Sequence, residues 1–161
     1  MEALADREVD VECKQMRWRG SGCRFFGAQG KRYNLFWMGG KDRSDGVGMF
    51  VAEKRVDSVV KVKRHSKRVL ILKMVLDNSL MNVLTMYAPH SRKPEEEKEN
   101  FWNELFHLMS CIPQNEMVML AGDMNGHVVG SNSVGCNGYG FGDRNADGSR
   151  ILEFADGVNL S

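Results

Sequence analysis

The chain has 161 residues, 42% hydrophobic and 27% charged, which suits one globular domain with a sizeable core. No apolar run approaches the roughly 20 residues that cross a bilayer, which excludes a transmembrane helix, and the acidic opening MEALADREVD lacks an apolar signal region. The net charge of +1 hides an asymmetry: Lys14 to Lys73 carries sixteen Lys and Arg against four Asp and Glu, a basic half that points to a polyanion or to a solvated face balanced by acidic neighbours.

Val9 to Gln15 alternates weakly and reads as a strand with Val9, Val11 and Cys13 inward. Arg17-Trp18-Arg19 follows. Arginines around an aromatic can grip phosphate and stack on a base, and a lone Trp can equally belong to a core. Tyr33–Met38, Val47–Ala52 and Val56–Val62 read as short strands, and Lys63 to Arg68 as a basic link, either a phosphate contact or a charged loop. Val69–Leu76 and Leu80–Tyr87 flank Asp77-Asn78-Ser79, the pattern of a β-hairpin. Both faces of Val69–Leu76 are mostly apolar, so it belongs in the middle of a covered sheet.

Pro94 to Ser110 predicts a helix. Glu95, Glu96 and Glu97 suit its positive end, and Phe101, Trp102, Leu105, Phe106, Leu108 and Met109 make a core stripe, with His107 at the surface. Gly126 to Gly148 predicts a long glycine-rich loop. Asp147-Gly148-Ser149 then caps a short helix, Arg150 to Asp156, and Val158-Asn159-Leu160 opens a further strand. Cys13, Cys23, Cys111 and Cys136 form no C-x-x-C pair and no zinc spacing. The expectation is free thiols, no disulfide-linked partner, and a nuclear or cytoplasmic setting.

The stretch with the most chemistry is Met117 to His127, MVMLAGDMNGH. A short apolar run closed by Gly122-Asp123 predicts a buried strand that delivers a carboxylate to the sheet's carboxyl edge. Asp123 and Asn125 are two apart, so in extended backbone they share a face, a pairing suited to a metal-bound phosphate or an attacking water. A strand followed by an Asx turn is the other reading of Asp-x-Asn-Gly.

Taken together, Tyr87-Ala88-Pro89, a helix, Gly122-Asp123-Met124-Asn125, and Arg144-Asn145-Ala146-Asp147-Gly148 leading into Ile151-Leu152-Glu153-Phe154 resemble the endonuclease/exonuclease/phosphatase superfamily. The wording RWRGSGCRFFGAQGKRYNLFWMGG, RSDGVGMFVAEK, NVLTMYAPHS and RNADGSRILEFADG is closer still to the endonuclease domains of non-LTR retrotransposons and to the craniofacial development protein 2 family. The resemblance implies an α/β fold, the DNase-I-like four-layer sandwich of mixed sheets flanked by helices. It also implies Mg²⁺-assisted phosphodiester hydrolysis, with nucleic acid as substrate and partner. Asp123 would orient or deprotonate water, and Asn125 would hold a phosphate oxygen or share the metal site. Tyr87 would donate to the scissile phosphate. Asn145 would contact phosphate, and Arg17, Arg19, Lys63, Arg64, Lys67 and Arg68 would track the DNA backbone.

The departures matter as much. The family's Gln-Glu-x-Arg-Trp pattern reads Lys14-Gln15-Met16-Arg17-Trp18 here, so the principal metal-binding Glu is missing. The family's later Asp/His motifs have no counterpart, and none of His65, His90, His107 or His127 sits in a matching context. The expectation is a single incomplete domain over residues 1–161, without the family's C-terminal part and first strand. Its Mg²⁺ site would be weakened, because charge count tunes the binding of hard cations. Catalysis would be impaired. The alternative is a non-catalytic relic binding nucleic acid, or a protein partner that covers open sheet edges.

Overall fold

The computed structural model describes residues 9–28, 30–43, 45–126 and 145–158. They fall into two compact units, one drawn from Met1–Tyr87 and Gln114–Asp123, the other from Ala88–Pro113 and Met124–Ser161.

The first unit is two four-stranded sheets. One is antiparallel and orders β1 (Val11–Gln15), β4 (Gly46–Ala52), β3 (Lys31–Gly39) and β2 (Gly20–Ala28) from edge to edge. The other orders β5 (Val59–Ser66), β6 (Val69–Leu76), β7 (Ser79–Tyr87) and β8 (Met117–Asp123), with β8 parallel to β7. Phe36, Val47, Met49 and Val51 from the first sheet interlock with Leu70, Leu72, Met74 and Val83 from the second to form the core. The opposite face of the first sheet buries Tyr33, Leu35, Phe50 and Ala52, so β4 is covered on both sides. An apolar strand without polar alternation is what such double cover requires.

The hairpin β6–β7 forms as predicted, but its loop is two residues long. Asp77 and Asn78 both take positive φ (46° and 68°), and Leu76 already pairs with Ser79. That is the primed turn matching strand twist, which Asp and Asn tolerate. Three differences from the sequence reading have physical causes. β2 carries glycines and an arginine instead of an apolar pattern; its register comes from β3, and the Trp37 ring lies where a side chain at Gly22 would stand. Val56 ends a one-turn helix, α1 (Glu53–Val56), and Lys63 to Ser66 belong to β5, where the main chain pairs with β6 whatever the side-chain charge. β8 ends its sheet among the described residues, with Met117 and Met119 half exposed at 50% and 49%, so it is not the buried strand expected.

The second unit holds α2 (Glu95–Ser110) and α3 (Ala146–Gly157). Pro94 takes the cap position of α2 with extended backbone (φ −53°, ψ 144°), which leaves its missing N–H without consequence. Phe101, Trp102, Leu105 and Leu108 are buried, and Phe154 of α3 seats against Trp102 and Phe106 at ring distances of 5.5 and 4.9 Å. Lys98 is buried as well, which its type did not foretell. Its ammonium meets Glu95 at 3.0 Å and Asp147 at 3.1 Å, and a buried cation persists only with such partners. The cap of α3 is Asn145, two residues before the predicted Asp147-Gly148-Ser149, which lie inside the helix: its side-chain oxygen accepts from the Gly148 amide at 2.8 Å. The glycine-rich loop at 127–144, with His127 and Cys136, and the strand expected at Val158–Leu160 beyond Val158 lie outside the described residues.

Candidate functional site

Within the first unit, the ends of β7 and β8 lie side by side along one rim. β7 and β8 run parallel and in register, and their last residues, Tyr87 and Asp123, are partners across the ladder. Gly122 makes this close approach possible. It adopts φ +147°, and a Cβ there would overlap the Met86 carbonyl. Arg68, at the turn into β6, joins the same rim. Its guanidinium donates to the Tyr87 carbonyl at 3.1 Å, and the Tyr87 amide donates to the Arg68 carbonyl at 3.0 Å. The guanidinium lies over the Tyr87 ring, 5.3 Å from its centroid, and pairs with Asp45 at 3.1 Å.

Asp45 precedes β4, and Val47 two residues on pairs with Gln15, the last residue of β1. Gln15 shares its face of the strand with Val11 and Cys13, which pack on the core between the sheets. Burial among these groups raises the Cys13 thiol above its usual range. The carboxyl end of β1 therefore stands on the rim that ends in Tyr87 and Asp123. Gln15 is exposed, and its amide takes no partner among the described residues.

From Gln15 the chain crosses the ends of β4 and β3. The Met16 amide donates to the Gly46 carbonyl at 2.7 Å, and the Trp18 carbonyl lies where a side chain at Gly39 would begin. Trp18 is anchored edge-on to Trp37 at 5.1 Å and tilted on Phe26 at 6.2 Å, yet it stays 36% exposed, so it is a surface aromatic braced by its neighbours and not a core residue. Arg17 and Arg19 flank it, both exposed and without an ion pair among the described residues.

The other basic residues are placed unequally. Lys63 is exposed on β5. Arg64 turns inward and donates to the carbonyls of Trp37 and Gly22 at 3.2 and 2.9 Å. Lys67 pairs with Asp45 at 2.8 Å. Arg68 is only 6% exposed, a strut instead of the backbone-tracking cation expected. In a basic run, spacing cannot tell which cation a buried aspartate will claim.

Asn125 also differs from expectation. It has left the extended conformation (φ +51°), so the shared face with Asp123 does not form. Within the second unit its amide donates to the Ala88 carbonyl at 2.7 Å, a long-range tie between segments 37 positions apart and not the local Asx turn of the alternative reading. Asn145, in the same unit, caps α3 as described above.

Asp123 and Tyr87 offer a carboxylate and a phenol, and Gln15 a neutral amide. Among the described residues no three of His, Cys, Asp or Glu come together in a group that could hold a metal ion. A hard dication wants several oxygen ligands and more than one negative charge. This donor set does not fit Mg²⁺.

No family model matches the chain. Over 142 residues, 87% of its length, it is 23% identical to craniofacial development protein 2 from Bos taurus and 22% identical to that from Tragulus javanicus. It spans about a quarter of the length of these curated relatives (23% and 24%). Its backbone follows the AP endonuclease LMAP from Leishmania major with a TM-score of 0.64 at 12% identity, covering 98% of this chain and 60% of that one. It follows the endonuclease domain of TRAS1, a telomere-specific non-LTR retrotransposon, with a TM-score of 0.59 at 13% identity, covering 98% and 62%.

The fold is that of the DNase-I-like endonucleases. In a DNase-I-like domain of this outline the paired sheets and the parallel β7–β8 step are accounted for, and the rim at Tyr87 and Asp123 is the carboxyl edge where sheet-based folds hold ligands. No helix among the described residues is long and apolar enough to cross a membrane.

Proposed function

We propose that the chain is an endonuclease-type domain whose rim engages the phosphodiester backbone of nucleic acid, with hydrolysis impaired. The observation that carries this is the in-register pairing of Tyr87 with Asp123 at the ends of parallel strands, with Arg17 and Arg19 exposed on the segment that follows β1. The Tyr87 hydroxyl donates to a non-bridging phosphate oxygen. The Asp123 carboxylate accepts from a water near the phosphorus and holds its orientation. Arg17 and Arg19, with Lys63 further along β5, meet neighbouring phosphates as point charges. A bound Mg²⁺ would steady the leaving oxygen, but this donor set does not hold one, and general acid–base and electrostatic groups are each worth about two to four orders of magnitude in rate.

The test pairs a plasmid-nicking assay in Mg²⁺ with DNA binding over a salt series, on wild type, Asp123→Ala and Arg17→Ala. Expected are at most trace nicking, binding that weakens with salt, and a salt slope shallower by about one in Arg17→Ala. Robust nicking abolished by Asp123→Ala would overturn the impairment, and absence of low-salt binding would overturn the reading altogether.

One observation favours a second reading, a protein-binding module. Met117 and Met119 stand half exposed on β8, the last strand of its sheet among the described residues. Purification of the chain as a lone monomer that binds no protein partner would count against it.

A further inference from the structure

Resting on the nucleic-acid reading above, we infer that Gln15 makes the rim a metal-independent phosphodiester grip. The disagreement between the rim's donor set and a divalent cation is then a change of binding mode. Gln15 closes β1 on the face it shares with Val11 and Cys13. Its register partner Val47 follows Asp45, whose ion pair with Arg68 leads to Tyr87 and so to Asp123. That chain of contacts sets an exposed amide on the edge that carries the carboxylate.

The charges decide what such an edge can accept. Asp45 is neutralised by Arg68 and Lys67. Among the described residues, the exposed carboxylate at the ends of β7 and β8 is Asp123, the exposed Asp42 lies over Gly40 with the Lys67 side chain, and the segment that leaves Gln15 carries two exposed guanidinium groups, Arg17 and Arg19. An anion can approach this set with no dication between. A second carboxylate at position 15 would reverse the balance: it would repel phosphate, and a divalent ion would be needed to bridge the two acids and the ligand. The Gln15 amide has the size of that carboxylate without its charge, and its N–H₂ donates to a phosphate oxygen.

The test compares wild type with Gln15→Glu. Position 15 is exposed, so both fold, which a thermal melt verifies. Binding of a short fluorescent DNA duplex is measured by anisotropy in EDTA and in Mg²⁺ at matched ionic strength, and Mn²⁺ uptake without DNA is followed by its EPR signal. Wild type binds DNA equally in both buffers and takes up no Mn²⁺. Gln15→Glu loses about tenfold in EDTA, recovers in Mg²⁺ and takes up Mn²⁺. Adding Asp123→Ala to Gln15→Glu abolishes that uptake. Wild-type binding that requires Mg²⁺, or a Gln15→Glu variant indistinguishable from wild type, overturns the inference and leaves the nucleic-acid reading standing. If wild type binds DNA in neither buffer, that reading fails and the grip fails with it; the Mn²⁺ measurement still reports whether position 15 faces Asp123.

Discussion

Arg68 holds Tyr87 at both ends of its backbone: the Tyr87 amide donates to the Arg68 carbonyl at 3.0 Å, and the Arg68 guanidinium donates to the Tyr87 carbonyl at 3.1 Å. The same guanidinium covers the phenol ring and closes on the buried Asp45. Removing one member of a buried pair strands the other charge, at a cost of about 3–5 kcal/mol. Arg68→Met and Asp45→Asn are each expected to lower unfolding free energy by about that amount in urea titrations. The double variant loses less than the sum, because both deletions remove one interaction.

Gly122 is the position where the rim tolerates least. At φ +147° beside the Met86 carbonyl, an added methyl strains the backbone and collides with the neighbouring strand. Gly122→Ala is expected to cost more than about 3 kcal/mol. A circular-dichroism melt checks this, and wild-type stability in the variant would refute it.

Glu116 accepts from the Asn82 amide at 2.7 Å and from the Lys73 ammonium at 2.6 Å, which hold its carboxyl below the usual range. Glu95, bonded to Arg150 and Lys98, is depressed in the same way. A carboxyl whose folded pKa is depressed stabilises above its unfolded value of about 4.3, and that stability is lost as pH falls through the lower folded value. Stability is therefore flat near neutrality with respect to these groups and declines below about pH 4.3. Urea midpoints followed downward in pH should fall less steeply in Glu116→Gln.

Asn145 separates capping from phosphate contact. Asn145→Ala removes the acceptor for the Gly148 amide and is expected to cost about 1 kcal/mol. Asn145→Asp keeps the cap, so stability is retained; if the side chain also meets phosphate, DNA affinity falls in this variant while the melt does not move.

Asn125 serves as a tie. Its amide reaches the Ala88 carbonyl at 2.7 Å from a left-handed backbone. Asn125→Ala loses that bond and is strained at φ +51°, and a loss of about 1–2 kcal/mol is expected by denaturant titration. Asn125→Gly relieves the strain and should lose less.

Sequence by itself determined the elements whose own residues carry a period or a turn: the β6–β7 hairpin, the α2 stripe at Phe101, Trp102, Leu105 and Leu108, and the strand ending in Gly122-Asp123. Tyr87 and Asp123 were legible because each closes an apolar run. Tertiary structure alone decided β2, whose pattern of glycine and charge has meaning only against Trp37 and β3. It decided that Arg68 is a strut and Arg17 a surface cation, since Asp45 is near the first only after folding. It also set Gln15 on the rim with Asp123, residues more than a hundred positions apart. Local propensity acts over a few residues, whereas burial, ion pairing and register depend on which distant segments the fold brings side by side.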